Sequence, residues 1–452
     1  MLFSSLSFLI WFLPAVLIIH ALLPARFQNA FLLAASVFFY AWGEIRYVPL
    51  LLALMAGNYA LGFLCASKTG RLALYGLILS LLINFGTLFY YKYSGWLMSA
   101  IAPGLSGFQA PPLPLGISFF TFQSQAYQID IYRGRSAPER SLINYGTFIL
   151  LFPQFIAGPI VLYPDVRQDL HKRRLVPEEV ENGMLLFLAG LSSKLLLANR
   201  LGLIWEAAAN AAARSAPAAW LGVLGYGLQI YFDFAGYSLM AIGIGRMLGF
   251  HFPRNFNHPY AARSVRDFWQ RWHITLSRWF RDYVYFPLGG SRAGPGRVLF
   301  NLLTVWLLTG LWHGADLRFL LWGLWFFIFL SLEHFIPRFK PQDHPFAGRA
   351  YALLVVFLGW VLFASASTGQ ALAYAASMFS FSNGADWLFL LRNNFMLLLL
   401  SMLMCVPPLV QGISGQLRTH PALRLAIGLL LTALCVSSLV SESFNPFLYF
   451  RF

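Results

Sequence analysis

Residues 298–337 read VLFNLLTVWLLTGLWHGADLRFLLWGLWFFIFLSLEHFIP, two apolar runs joined by a short polar turn that begins at His313. The runs cover 298–313 and 317–337, and about 18 apolar residues suffice for a helix to cross the roughly 30 Å hydrocarbon core of a bilayer. Because backbone polar groups in lipid must be satisfied within the segment, such runs are expected to be helical. The stretch therefore predicts two membrane-spanning helices with a histidine where they join.

The whole chain of 452 residues shares this character. Hydrophobic residues make up 58% of it and charged residues only 11%, against about 25% charged residues in soluble domains. The pattern predicts an all-α integral membrane protein with 11–12 transmembrane helices, and a single polytopic domain covering 1–452. Besides the two runs above, the predicted spans are 3–23, 28–43, 47–66, 71–91, 112–132, 181–205, 217–248, 348–366, 389–411 and 422–441.

The net charge of +15, from 32 Lys and Arg against 17 Asp and Glu, is carried by short loops between apolar runs. That distribution is typical of the positive-inside bias and of contact with anionic membrane lipid, and it argues against nucleic acid as a partner. Two clusters should face the cytoplasm: Arg133, Arg135 and Arg140, then Arg167, Lys172, Arg173 and Arg174.

The apolar segment 141–162 lies between these two clusters and contains the helix breakers Pro153 and Pro159. If both flanks are cytoplasmic, the segment cannot cross the membrane once, which predicts a re-entrant segment. The alternative is an ordinary kinked span with one basic cluster outside.

Residues 265–285 are unusually rich in arginine and aromatic residues. The pairs Asp267/Arg271 and Arg278/Asp282 have i,i+4 spacing, which stabilises helices. An apolar face recurs at helical spacing, and the stretch predicts one helix at the cytoplasmic interface, ending at the turn 287–290. The apolar face consists of Phe268, Trp272, Leu276 and Trp279.

Polar side chains inside apolar runs are expensive in lipid and are usually functional or paired. His313 is the main candidate, because a neutral imidazole can act as a general base; the alternative is a hydrogen-bonded structural histidine. His273, among arginines, is more typical of a headgroup-facing side chain. Asp233 needs an arginine, a histidine or water as a partner, and a structural ion pair is the favoured interpretation.

Asp316 and Arg318 follow His313 closely. They either close the turn between the two spans or line the same cavity as the histidine. The nine histidines are dispersed, so no metal site is predicted. The residues alone leave both a membrane enzyme and a proton-coupled carrier without bond chemistry open.

Several longer motifs occur in order along nearly the whole chain, and with them the chain resembles the membrane-bound O-acyltransferase family. The similarity is greatest to the bacterial branch that O-acetylates polysaccharides such as alginate and peptidoglycan. The motifs are FYAWG (39–43), PLGISFFTF (114–122), IDIYRG (129–134), FPQFIAGP (152–159), YFDFAGY (231–237), PRNFNHPY (253–260), FWQRWHITLS (268–277), RDY (281–283), PLGG (287–290), GLWHG (310–314) and NPFLYFRF (445–452).

The resemblance implies that His313 is the active-site histidine, acting as base or as acyl carrier, and that His273 is its companion, placing the thioester or stabilising charge. It implies a multi-helix fold around a central tunnel. Residues expected to support the tunnel or bind the donor are Trp312, Arg271, Trp272, Asp233, Arg281 and Asp282.

The same resemblance implies a multi-pass protein of the bacterial inner (cytoplasmic) membrane with no bound cofactor. Acetyl-CoA is the expected acyl donor. A periplasmic SGNH-type O-acetyltransferase and an extracytoplasmic polysaccharide are the expected partners. D-alanyl transfer to teichoic acid is the alternative within the same enzyme class.

Overall fold

The computed structural model describes residues 2–101, 111–155, 158–211, 214–292, 294–336, 338–380, 384, 386–441 and 447–448. These residues form two compact units. Unit 1 comprises Met1–Phe187 and Ser238–Arg254, and unit 2 comprises Leu188–Tyr237 and Asn255–Phe452. No strand occurs in the described part of the chain, and the predicted all-α fold is confirmed. That 1–452 acts as one functional domain stays a prediction.

The helices up to Met247 range in length from four to 32 residues. They are α1 (Leu13–Leu22), α2 (Ala25–Glu44), α3 (Val48–Cys65), α4 (Gly70–Lys92), α5 (Ser94–Ile101), α6 (Ile117–Tyr132), α7 (Leu142–Leu150), α8 (Phe152–Phe155), α9 (Tyr163–His171), α10 (Pro177–Ser192), α11 (Asn199–Ala209) and α12 (Ala216–Met247). π-Helical turns precede α1 at Phe8–Phe12 and join α10 to α11 at Ser193–Ala198.

The second half adds two short helices and then a series of longer ones. They are α13 (Val265–Arg271), α14 (Ile274–Phe280), α15 (Pro295–His313), α16 (Leu317–Phe335), α17 (Pro345–Ala364), α18 (Thr368–Ser377), α19 (Asp386–Met404), α20 (Pro407–Thr419) and α21 (Pro421–Ser441). A π-helical turn, Arg281–Tyr285, continues α14.

All twelve predicted spans overlap helices. Seven helical stretches in the described residues are long and apolar enough to cross a membrane: Ala25–Cys65, Gly70–Lys92, Pro177–Ala209, Leu317–Phe335, Pro345–Ala364, Asp386–Met404 and Pro421–Ser441. The predictions at 3–23, 112–132, 217–248 and 298–313 correspond to helices that are shorter or more polar. The predicted span 389–411 is too long, because the helix stops at Met404 and Pro407 begins another.

The segment 141–162 is broken, as its prolines predict. Helix α7 has nine residues, about 14 Å of helix, which is too short to cross a bilayer. It ends before Leu151, whose non-helical backbone separates it from the four-residue α8. The re-entrant course itself stays a prediction, and residues 156–157 of its motif lie outside the described residues, as does the motif 445–452 except for 447–448.

The prediction of one interfacial helix over 265–285 is wrong. The chain breaks between α13 and α14 at Trp272 and His273, and His273 has a left-handed backbone with φ 44°. The predicted apolar face is buried inside the protein, with Phe268 1% exposed and Trp272 3% exposed. Spacing alone cannot reveal such a break, because the side chains on both sides keep their helical order.

Candidate active site

A tight helical hairpin places His313. Helices α15 and α16 pack so closely that a Cβ on Gly310 would meet the carbonyl oxygen of Phe319, and one on Gly323 would meet that of Trp306. His313 is the last residue of α15, just beyond this crossing. Small residues at such a contact let two helix backbones approach closely. The close packing of α15 on α16 therefore fixes the position of the His313 imidazole.

The turn after His313 is closed by Asp316. Its Oδ1 accepts the backbone N–H of Arg318 at 2.9 Å and caps α16, as short polar side chains do at a helix start. The guanidinium of Arg318 lies 3.6 Å from the other carboxylate oxygen. Of the two interpretations that the sequence left open for this pair, the structure supports the turn.

Aromatic rings surround the buried imidazole of His313, which is 5% exposed. The ring centroids of Trp312, Trp322 and Phe363 lie 4.9, 5.0 and 5.1 Å away, with interplanar angles of 79–82°. These edge-to-face contacts are favourable geometries for aromatic groups. They hold the orientation of the imidazole from several sides.

His273 is also buried, at 1% exposed, so the expectation of a headgroup-facing side chain is wrong. Its Nδ1 lies 3.1 Å from Oδ1 of Asn255, and that oxygen already accepts the backbone N–H and the hydroxyl of Thr275 at 3.3 and 2.9 Å. Since Oδ1 can only accept, Nδ1 of His273 is the protonated nitrogen. The lone pair of the neutral ring is therefore on Nε2.

Burial lowers the pKa of His273 from 6.5 to about 3. The unfolded chain thus takes up a proton at this residue as the pH falls below about 6.5, while the folded chain does not. We expect the free energy of unfolding to fall with acidification by at most about 1.4 kcal/mol per pH unit from this residue.

The measurement is the detergent melting temperature at pH 7 and pH 5. His273→Asn, a residue that tolerates a positive φ, should show a smaller acid loss than the unchanged protein. His420→Asn, at an exposed histidine, is the control and should show the full loss. Equal acid losses in all three proteins would contradict the assignment.

Two residues that the sequence pattern did not single out hold the elements around His273. The side-chain oxygen of Asn255 accepts hydrogen bonds from Thr275 and His273. Its backbone carbonyl oxygen accepts the backbone N–H of Ile274 at 2.9 Å. Glu333, near the end of α16, accepts the backbone N–H groups of Val265 at 2.6 Å and of the next residue at 3.0 Å. A carboxylate at a helix N-terminus is favourable, and this one fastens α13 to α16.

One cavity of about 240 Å³ joins the two histidines. One wall is a single face of α15, formed by Leu302, Val305, Trp306, Thr309 and His313. These positions span twelve residues, roughly 16 Å of helix. The facing wall is formed by Arg266, Trp269, Gln270, Trp272, His273, Leu276, Ser277, Phe280, Arg281 and Tyr285, with Leu330 beside them.

The charged groups of this cavity lie at the end away from His313. The guanidinium of Arg266 lies 3.2 Å from the imidazole of His334, which is near the end of α16. Because α15 and α16 form an antiparallel hairpin, the end of α16 lies beside the start of α15. Arg281 begins the π-helical turn that packs on α15; shortly after that turn, Gly290 accepts a hydrogen bond from Asn301 in α15. Arginine therefore lines one end of the cavity, and the histidines line the other.

The structure brings together four of the predicted site residues, His313, His273, Trp272 and Arg281, in the wall of this cavity. The ring of Trp312 lies edge-on against both imidazoles, with centroid distances of 5.9 Å to His273 and 4.9 Å to His313. The catalytic and donor-binding roles of all these residues stay predictions.

Like Trp312, the other three predicted residues are not among those that line the cavity. Asp282 binds the guanidinium of Arg281 at 2.8 Å, which connects it to the cavity through that arginine. Arg271 forms the predicted i,i+4 pair with Asp267 at 2.6 Å. Asp233 is buried in an ion pair, as predicted, but its partner is Lys194, with Nζ 2.5 Å from Oδ1.

The chain is similar to several known acyltransferases. The membrane-bound O-acyltransferase family model matches residues 137–376, which include both histidines. The probable alginate O-acetylase of Azotobacter vinelandii is 36% identical over 100% of both chains. The peptidoglycan O-acetyltransferase of Helicobacter pylori is 32% identical over 84% of this chain and 80% of its own. The teichoic acid D-alanyltransferase of Bacillus subtilis is 28% identical over 50% and 60% respectively.

Proposed function

Because the chain belongs to the membrane-bound O-acyltransferase family, we propose that it transfers an acetyl group from cytoplasmic acetyl-CoA towards an extracytoplasmic polysaccharide. The two O-acetyltransferases match most of the chain, whereas the D-alanyltransferase matches half of it at lower identity. This difference favours acetyl over D-alanyl as the transferred group. Since the family is one of enzymes, a carrier without bond chemistry is disfavoured.

The observation that carries the proposal is the cavity with arginine at one end and two histidines at the other. Coenzyme A is an anionic nucleotide joined to its thioester by a long flexible arm. Arg266 and Arg281 suit its phosphate groups, and the roughly 16 Å along α15 leaves room for the arm. The thioester carbonyl would then lie between His273 and His313.

Two chemical routes are open to His313. As a base, the unprotonated nitrogen of its neutral imidazole takes the proton of the acceptor hydroxyl, the oxygen attacks the thioester carbonyl, and coenzyme A leaves as a thiolate that regains the proton. As an acyl carrier, the same nitrogen attacks the carbonyl and the thiolate leaves; the acceptor oxygen then takes the acetyl group as the bond to nitrogen breaks, and the hydroxyl proton ends on the thiolate. Acid quenching without acceptor, followed by mass spectrometry of the peptide containing His313, distinguishes the two routes.

His273 has a narrower role in this proposal. With the proton on Nδ1 held by Asn255, its Nε2 presents a lone pair. A lone pair accepts a proton or orients a hydroxyl or thiol, but it cannot donate to a developing oxyanion. We therefore assign His273 to orienting a protonated group, rather than to stabilising negative charge.

The acetyl group is proposed to cross a bacterial inner membrane through this protein and to reach a periplasmic SGNH-type partner, which would modify the polymer. The test combines purified protein, labelled acetyl-CoA, partner and polysaccharide. The expected result is label in the polymer with release of free coenzyme A. Transport of substrate without acetyl-CoA consumption, or label from a D-alanyl carrier protein alone, would overturn the proposal.

Arg281→Gln is expected to raise the KM for acetyl-CoA about tenfold, because a charge-assisted contact to phosphate contributes about 1.5 kcal/mol or more. The kcat should change little, since Arg281 lies at the end away from the histidines. Arg71→Gln, at an exposed position in the first turn of α4, is the matched control. An unchanged KM at both low and high salt would contradict a donor-binding role for Arg281.

A further inference from the structure

A buried ion pair lies outside the cavity and takes no part in the proposed chemistry. Lys194 is 4% exposed and Asp233 is 1% exposed, and their charged atoms are 2.5 Å apart. Removing two charges from water is costly, and a buried pair is stable only when the remaining polar atoms are also satisfied. The stability of this ion pair therefore depends on the group that binds the second carboxylate oxygen of Asp233.

That oxygen binds a segment distant in sequence. The backbone N–H of Leu448 donates to Oδ2 of Asp233 at 2.8 Å. The ring of Phe447, 1% exposed, lies under the ammonium group of Lys194 at 4.9 Å and edge-on against Tyr237 at 4.4 Å. The segment Phe447–Leu448 thus docks on the ion pair through a hydrogen bond, a cation–π contact and an aromatic contact.

The residue after Asp233 connects this docking site to the candidate active site. The ring of Phe234 lies edge-on against the imidazole of His273, with centroids 4.7 Å apart and an interplanar angle of 88°. Successive residues in a helix point about 100° apart. Helix α12 can therefore hold the segment with Asp233 and support the histidine with Phe234.

His273 needs such support, because a left-handed backbone is unfavourable for a residue other than glycine. Asn255 holds its ring nitrogen from one side, and Phe234 meets its ring. A small rotation of α12 would move Phe234 and release one of these restraints.

We propose that the docked segment Phe447–Leu448 is a positioning element for His273, acting through Asp233 and Phe234. This inference rests on the proposed acetyl transfer. The two residues are not among those that line the cavity; they fix the rotation of α12 and thereby the imidazole at the end of the cavity where the acetyl group reacts. Its loss should lower turnover without weakening donor binding at Arg266 and Arg281.

Leu448→Pro tests this directly, because proline removes the backbone N–H that donates to Oδ2 of Asp233, and Leu448→Ala is the matched control that keeps it. We expect Leu448→Pro to lower kcat roughly tenfold or more relative to Leu448→Ala, since small misplacements of a catalytic group are costly. The KM for acetyl-CoA and the melting temperature should stay close to those of the control.

A second measurement reads the position of His273 itself. Diethyl pyrocarbonate modifies accessible imidazoles, and mass spectrometry gives the rate for the peptide containing His273. Faster modification in Leu448→Pro than in Leu448→Ala is expected. Phe447→Ala, which keeps the N–H and removes the ring under Lys194, should show a smaller change in the same direction and replaces Leu448→Pro if that variant does not fold.

Equal kcat and equal modification rates in the proline and alanine variants would overturn the positioning role while leaving acetyl transfer intact. A fall in activity matched by an equal loss of folded protein would also overturn it, because the segment would then be purely structural. Absence of acetyl transfer by the unchanged protein would instead contradict the proposed function.

Discussion

His313→Ala is expected to reduce acetyl transfer by about a thousandfold, a typical loss when the group that accepts a proton in the transition state is removed. The side chain lies at the buried end of the cavity, at the end of α15. Both proposed routes need its nitrogen, so neither bypasses the substitution. The measurement is the initial rate of label transfer from acetyl-CoA to the polymer at saturating donor.

The control is His420→Ala, which removes an exposed histidine from the same unit and should leave the rate unchanged. His313→Gln keeps much of the volume among the aromatic rings, and it separates lost chemistry from lost packing. If His313→Gln is as inactive as the alanine variant and melts like the unchanged protein, the loss is chemical. Full acetylation by either variant would eliminate His313 from the mechanism.

The fold was largely predictable from the sequence because the bilayer imposes a simple rule on apolar runs. Each predicted span overlaps a helix, and the turn at 287–290 lies where its glycines indicate, with positive φ at Gly289 and Gly290. The errors lie where tertiary contacts override spacing. The break at His273 depends on Asn255, a residue eighteen positions away, which no local pattern reveals.

The site was predictable where motifs mark it and not where partners come from distant helices. Four residues that were expected in the site line one cavity: His313, His273, Trp272 and Arg281. Glu333 was overlooked, although a carboxylate near the end of an apolar span is itself a signal. Lys194 was missed because the sequence does not show which helices are neighbours.

Gly323→Ala is expected to destabilise the protein by about 3 kcal/mol, the upper part of the range for overpacking a tight contact. A Cβ at this position would lie 3.1 Å from the carbonyl carbon of Trp306 and still closer to its oxygen, and 3.7 Å from the Cα of Gly310. The atoms in the way are backbone, which cannot rotate aside as a side chain would. The helices α15 and α16 must then separate, or the substituted chain fails to fold.

Separation of the hairpin would also affect catalysis, because Trp322, the residue before Gly323, packs on the imidazole of His313 at 5.0 Å. We therefore expect Gly323→Ala to lower both the melting temperature in detergent and the acetyl transfer rate per folded molecule. Gly296→Ala is the matched control: a Cβ there meets nothing within 4 Å, and alanine favours the helix. If the two variants melt alike and transfer acetyl alike, the close approach of α15 and α16 does not hold His313 in place.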